Sequence, residues 1–203
     1  MVYLTNHDRN YCQFCRRELQ LIDERKHGFH LSCSKEVLAY RSNRPATTTI
    51  LHQEVSLRST SLHLANYDLT TVPSSLGLLS HLQNLNLSHN QLTTLPQIVG
   101  ELTNLRSLNA GFNHIAEFDE SLSNLHLLQN LYLADNRLRT LPDWFGTLTN
   151  LSRINLRSNP LVSVGEELIG LPNLSYLNLR GTGLGRDDLP YELRKKESLW
   201  VDE

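Results

Sequence analysis

Four residues near the N-terminus have the types and spacing to hold a metal ion. Cys12 and Cys15 are separated by two residues, His30 and Cys33 by another two, and fourteen residues lie between the pairs. Each pair can be closed by one tight turn, and three thiolates with one imidazole satisfy a tetrahedral Zn2+, at about 2.3 Å for sulfur and about 2.0 Å for nitrogen. His27 also precedes Cys33, but only His30 has the two-residue spacing. With four protein ligands no coordination position is left for water or substrate, so the expected zinc is structural and not catalytic. A segment this short cannot bury enough apolar area to fold alone, and metal binding supplies the difference.

The stretch between the pairs reads as a hairpin around Asp23–Gly28, and SCSKEVLAYRS as a helix carrying the second pair at its start. That layout resembles a treble-clef finger or half of a LIM domain, a likeness confined to the N-terminal domain expected over 1–44. Arg16, Arg17, Arg25, Lys26 and Lys35 make the segment locally basic. It supports a second functional reading, an adaptor whose finger recruits ubiquitin machinery or nucleic acid.

Other chemistry is hard to find. All three cysteines are committed to the metal, so none remains as a nucleophile, and a RING-type ligase would need ligands for two zinc ions. No phosphate loop, G-x-S-x-G elbow or H-E-x-x-H appears, and the chain is expected not to be an enzyme. A formal net charge of -2 and a pI near 6.5 provide no global field for phosphates or anionic lipid, which argues against nucleic acid as the general partner. Charged residues interrupt the first twenty positions and no run is long and apolar enough to span a bilayer, so a cytoplasmic, membrane-free protein is expected. The N-x-S sequons at Asn86, Asn150 and Asn173 are accordingly read as unmodified.

The elements that must carry any binding surface announce themselves by period. Leu82, Leu105, Leu128, Leu151 and Leu174 recur every 23 residues, as do Leu62, Leu85, Leu108, Leu131, Ile154 and Leu177, and Leu64, Leu87, Ala110, Leu133, Leu156 and Leu179. Together they write L-x-x-L-x-L-x-x-N-x-L in six units between 59 and 196. Each unit can bury its leucines only against its neighbours. The L-x-L core predicts a short strand whose alternate side chains face outward. Asn90, Asn113, Asn136 and Asn159 are placed to bond backbone groups of adjacent turns. Val72-Pro73, Leu95-Pro96 and Leu141-Pro142 turn the chain to the far side; Phe118-Asp119 and Val164-Gly165 depart from that element, so the third and fifth units are expected to turn less regularly.

Segments such as LQNLNLSHNQLTTLPQIVGELTN resemble the 23-residue repeats of the Ras-group intracellular leucine-rich repeat proteins. The resemblance implies an α/β solenoid, a horseshoe with a parallel concave sheet over 59–186. It also implies a scaffold role, in some members of that group for small GTPases. Residues 45–58, with Ile50, Leu51, Val55 and Leu57 at mixed helical spacing, are read as an N-terminal cap and linker. A C-terminal capping helix is expected within 187–203, over Pro190–Leu199, with Trp200 covering the last leucines; an anchor for a partner is the rival reading of Trp200.

Of the outward strand positions, small polar residues fill the first units, whereas Tyr132, Arg153, Arg157, Tyr176 and Arg180 gather in the later ones. Tyrosine and arginine are enriched at interface hot spots. These five residues are the expected partner-binding site of a protein-interaction scaffold acting as a monomer, and an acidic partner surface would suit them. His63, His89 and His114 lie on the same side without ligand spacing and are read as surface histidines.

Overall fold

The computed structural model describes residues 47–51 and 53–203. The chain divides into two compact units, 1–58 and 59–203. The proposed ligands Cys12, Cys15, His30 and Cys33 lie outside the described residues, as do the hairpin and helix expected around them.

In the first unit, strands β1 (Thr47–Ile50) and β2 (Gln53–Ser56) pair antiparallel, Thr47 opposite Ser56 and Ile50 opposite Gln53. The helical spacing noted in the sequence does not make a helix here. Thr47, Thr48, Thr49 and Ile50 are all β-branched, and their restricted χ1 suits a pleated strand better than a helical turn. Leu51 reverses the chain with a φ of 48°.

The second unit is built on the period. Its strands are β3 (Ser61–His63), β4 (Asn84–Asn86), β5 (Thr94–Leu95), β6 (Ser107–Asn109), β7 (Glu117–Phe118), β8 (Asn130–Tyr132), β9 (Arg153–Asn155), β10 (Tyr176–Asn178) and β11 (Trp200–Asp202). Seven of them form one parallel sheet in the order β3-β4-β6-β8-β9-β10-β11. Residues in register are one period apart: Leu62, Leu85, Leu108, Leu131, Ile154 and Leu177 align across it, joined by Val201. The six members of the repeat column are no more than 6% exposed, and the Leu64 to Leu179 column is fully enclosed. Each such leucine contributes about 1.5–3 kcal/mol of apolar transfer. The sheet is therefore held by its inward columns, which frees the outward positions to vary.

Opposite the sheet each unit returns through one short turn: 3-10 segments Ser74–Leu78, Glu120–Asn124, Asp143–Thr147 and Glu166–Leu168, and a single helical turn α1 (Gln97–Gly100). Pro73, Pro96 and Pro142 precede three of these in extended conformation. The third unit turns as regularly as these: Asp119 takes the proline position with φ -72°, and its carboxylate accepts from the Ser121 amide at 3.0 Å, an N-cap in place of a ring. In the fifth, Gly165 begins a shorter turn of three residues.

The asparagine ladder forms as read. Asn136 Nδ2 donates to Ala110 and Leu133 carbonyls at 2.9 and 3.0 Å while its Oδ1 accepts from the Ile115 amide at 2.9 Å. Asn90, Asn113 and Asn159 repeat the pattern. At the last unit Thr182 substitutes, its hydroxyl donating to the Leu179 carbonyl and accepting from the Leu184 amide. A second series, Asn104, Asn150 and Asn173, donates to the carbonyls of Ser80, His126 and Thr149 one unit back.

The C-terminal end differs from expectation. The helix is a single turn, α2 (Tyr191–Arg194), after which the chain extends and adds β11 to the sheet. Leu189, Leu193 and Leu199 are the buried side chains there, and Trp200 is 68% exposed. Alternation explains why: with Val201 aligned to the inward Leu177, Trp200 and Asp202 must face outward beside Tyr176 and Asn178. Arg186 closes this end by donating to the carbonyls of Arg194, Leu199 and Lys196.

Candidate functional site

The outward face of the sheet gathers the predicted residues. On one row of registered positions Arg153 stands beside Tyr176, which stands beside Trp200; on the next, Tyr132, Asn155, Asn178 and Asp202 follow one another. Arg157 and Arg180 emerge two residues after Asn155 and Asn178. Arg153 and Arg157 are exposed, and Tyr132 and Tyr176 are half-buried. All five predicted residues thus lie on three successive strands or just beyond them.

Of the residues of this surface, Asp202 escaped the sequence reading, which takes Trp200 first as a cover and only second as a partner anchor. Trp200 and Asp202 belong to it, because the final strand arrives 24 residues after β10 instead of 23. The outward-inward-outward alternation of Trp200-Val201-Asp202, matching Tyr176-Leu177-Asn178, was the available signal. Asp202 draws the neighbouring groups together: Asn178 Nδ2 donates to its Oδ2 at 3.2 Å, the Tyr176 hydroxyl lies 3.4 Å from the same atom, and Arg180 Nη1 is 3.9 Å from Oδ1. The Arg180 side chain nonetheless stays 62% exposed.

The asparagines of the face are oriented by the backbone. Oδ1 of Asn86, Asn109, Asn155 and Asn178 accepts from the amide two residues later, at 2.9–3.1 Å. Their Nδ2 groups therefore point away from that bond as donors. Further along, the rings of His89 and Phe112 stack at 4.2 Å with Phe112 49% exposed. His63, His89 and His114 do not converge, and no group of three or more metal-ligating side chains is assembled among the described residues. A cavity bordered by Leu95, Leu108, Phe118, Leu131, Trp144 and Phe145 has about 10 Å³ of room and no polar wall, too little for a small-molecule ligand. What this unit offers chemically is a surface of aromatic rings, guanidinium groups and amide donors. Among the described residues no helix is long and apolar enough to cross a membrane.

Comparison with known proteins agrees with this architecture. Residues 80–125 match a model for leucine-rich repeats in two copies, and residues 126–184 a second leucine rich repeat model. No curated protein sequence matches the chain. Among solved structures it is similar to a leucine-rich repeat protein of Leptospira interrogans, at 29% identity and a TM-score of 0.55. The match covers 68% of this chain and 41% of that one, so the chain spans well under half the length of that protein. The seven-stranded parallel sheet, the residue columns and two adjoining repeat models agree that residues 80–184 are leucine-rich repeats.

Proposed function

We propose that the protein is an interaction scaffold that binds a partner protein on the open face of its sheet, through Tyr132, Arg153, Arg157, Tyr176 and Arg180, with Trp200 as an additional anchor. The observation that carries this is Trp200. A tryptophan 68% exposed on a regular strand, in register with Tyr176 and next but one to Arg153, contributes nothing to the core and has the composition of a hot spot. Leucine-rich repeat proteins in general bind protein partners on such faces. A small GTPase or another signalling protein is the partner class that the Ras-group resemblance favours. Affinity capture with the wild type and with Arg153, Arg157 and Arg180 all changed to Ala tests the reading: loss of specific partners supports it, and an unchanged partner list overturns it.

The N-terminal quartet Cys12, Cys15, His30 and Cys33 is proposed to hold a structural Zn2+. Its support is the ligand types and their spacing. Metal analysis after gentle purification should give about one equivalent of zinc, and Cys12→Ser should abolish it. The adaptor alternative rests on the basic residues around that quartet. If removing residues 1–44 leaves partner capture intact but ends a downstream response, the finger is a second binding module.

A further inference from the structure

The last two full units of the sheet carry outward triplets at the same three repeat positions, one period apart, alike in the central asparagine and the final arginine. In β10 and the residues after it the triplet is Tyr176, Asn178 and Arg180; in β9 and the residues after it, Arg153, Asn155 and Arg157. Strand register places each member beside its counterpart, Tyr176 opposite Arg153 and Asn178 opposite Asn155. Both asparagines are held alike, Oδ1 accepting from the amide of the arginine two residues on, at 3.0 Å in one and 3.1 Å in the other. The equivalence therefore extends to where each Nδ2 group points.

The β10 triplet is already occupied. Asp202, one strand over, seats its carboxylate against Asn178 Nδ2 at 3.2 Å, the Tyr176 hydroxyl at 3.4 Å and Arg180 at 3.9 Å. The molecule thus displays how this surface reads a carboxylate: an amide donor in the centre, a donor from the preceding outward position and a guanidinium from the following one. The β9 triplet repeats that arrangement with a guanidinium at two of its three corners. The residue one strand over from Asn155 is Asn178, not an acid. Arg153 and Arg157 are exposed, and among the described residues neither has an ion pair or a side-chain hydrogen bond. The face carries Arg153, Arg157 and Arg180 against Asp202 and, on the rim, Asp135, whose amide donates to the Arg157 carbonyl, so a small positive excess remains at this triplet.

We infer that Arg153, Asn155 and Arg157 form a seat for an aspartate or glutamate side chain of the partner protein, bound as Asp202 is bound by Tyr176, Asn178 and Arg180. This rests on the proposed partner face and names what that face selects. A carboxylate over Asn155 receives one amide hydrogen bond and two charge-assisted contacts, the arrangement in which arginine favours carboxylates. Asp202 also restrains Arg180, so its neutralisation should open a second seat beside the first.

The test uses the full chain and a fluorescein-labelled deca-glutamate peptide, with deca-lysine as control, read by fluorescence anisotropy at physiological salt. Binding of deca-glutamate alone is expected. Joint substitution of Arg153 and Arg157 by Ala should weaken it about tenfold or more, and Asn155→Ser about fivefold, the scale of hydrogen bonds to a charged group at an open surface. Serine can still accept the Arg157 amide, so the strand end is kept. Asp202→Asn should tighten binding about threefold, a gain that a folding defect cannot produce. No binding by the wild type, or unchanged affinity in Asn155→Ser, overturns the seat; no gain in Asp202→Asn overturns the equivalence of the triplets from which it is drawn. If the double Arg variant loses binding while Asn155→Ser does not, the surface is an unspecific charge patch, and the partner face itself stands or falls by affinity capture with the triple Ala variant.

Discussion

Changing single rungs of the asparagine ladder should separate two costs that the repeat keeps apart. Asn136→Ala removes the acceptor of the buried Ile115 amide, which has no other partner. The three carbonyls that Asn136 serves are cushioned: Ala110 O still accepts from Asn113 and Leu133 O from Asn159, each shared by successive asparagines, and Ala134 O still accepts from the Phe112 amide. One stranded amide plus weakened carbonyl contacts amounts to about 2–3 kcal/mol. For a unit of this size that lowers Tm by about 5–10 °C. Asn90→Ala is more damaging, since its Oδ1 accepts from both Tyr67 and Leu69 and no further asparagine serves Leu64 O. Its cost should reach about 3–5 kcal/mol. Thermal and urea unfolding followed by circular dichroism on the full chain measure both. Asn136→Ala costing as much as Asn90→Ala would falsify the shared-carbonyl argument, and a loss below about 0.5 kcal/mol in either would mean that water replaces the rung.

Three further outcomes are expected. Gly100→Ala should be markedly destabilising, by about 1–3 kcal/mol, because a Cβ there meets the backbone carbonyl of Ser121 at 2.5 Å and one turn must move from the next; a neutral result in urea unfolding would show that the turns are loosely packed. Trp200→Ala should leave Tm within the scatter of ordinary surface substitutions, about 0.5 kcal/mol, while weakening partner capture, and a large fall in Tm would make it a core residue after all. The Asp119 carboxyl is held below its ordinary value of 3.8, first by the Ser121 hydroxyl and then by its amide. A folded value lower than the unfolded one contributes stability that is full above the unfolded value and disappears as pH falls through the folded one. The stability gap between wild type and Asp119→Ala should therefore be constant near neutrality and close below about pH 4; a gap that persists at pH 2 would assign the effect to something other than the ionised cap.

Much of the fold was legible because the period imposes it. Leucines recurring every 23 residues must share one interior, and the asparagine beside them must serve the backbone that no strand pairs, so columns, strands and ladder follow from spacing alone. The hairpin over 47–56 was not legible from apolar spacing, since four β-branched residues decide it and the apolar pattern there is ambiguous. The final strand was hidden by one inserted residue, which moved Trp200 from an expected cover to an exposed outward position. Asp119 shows a different failure, in which an unlike residue performs the proline's task through a side-chain bond. The arginine and tyrosine group could be read from outward positions, but the donor polarity of the asparagines could not. It depends on an Oδ1 bond to a particular amide, which composition does not display.

The rim of the same face shows where the fold leaves side-chain identity open. Asn66, His89, Phe112, Asp135, Ser158 and Gly181 occupy one repeat position and share a left-handed backbone, with φ between 54° and 70°. Glycine, asparagine and aspartate adopt it readily, whereas a phenylalanine there costs on the order of 1 kcal/mol. Stacking on His89 offsets about that much. The two effects nearly cancel, so the fold gains little from the aromatic pair while leaving it exposed. Phe112→Asn should accordingly change stability by less than about 0.5 kcal/mol, in contrast to about 3–5 kcal/mol for Phe145→Ala, which empties a position 1% exposed. If Phe112→Asn instead costs more than about 2 kcal/mol in urea unfolding, the pair holds the solenoid together. A near-neutral result, together with weaker partner capture, would extend the contact surface from the arginine triplets to this second aromatic position on the earlier units.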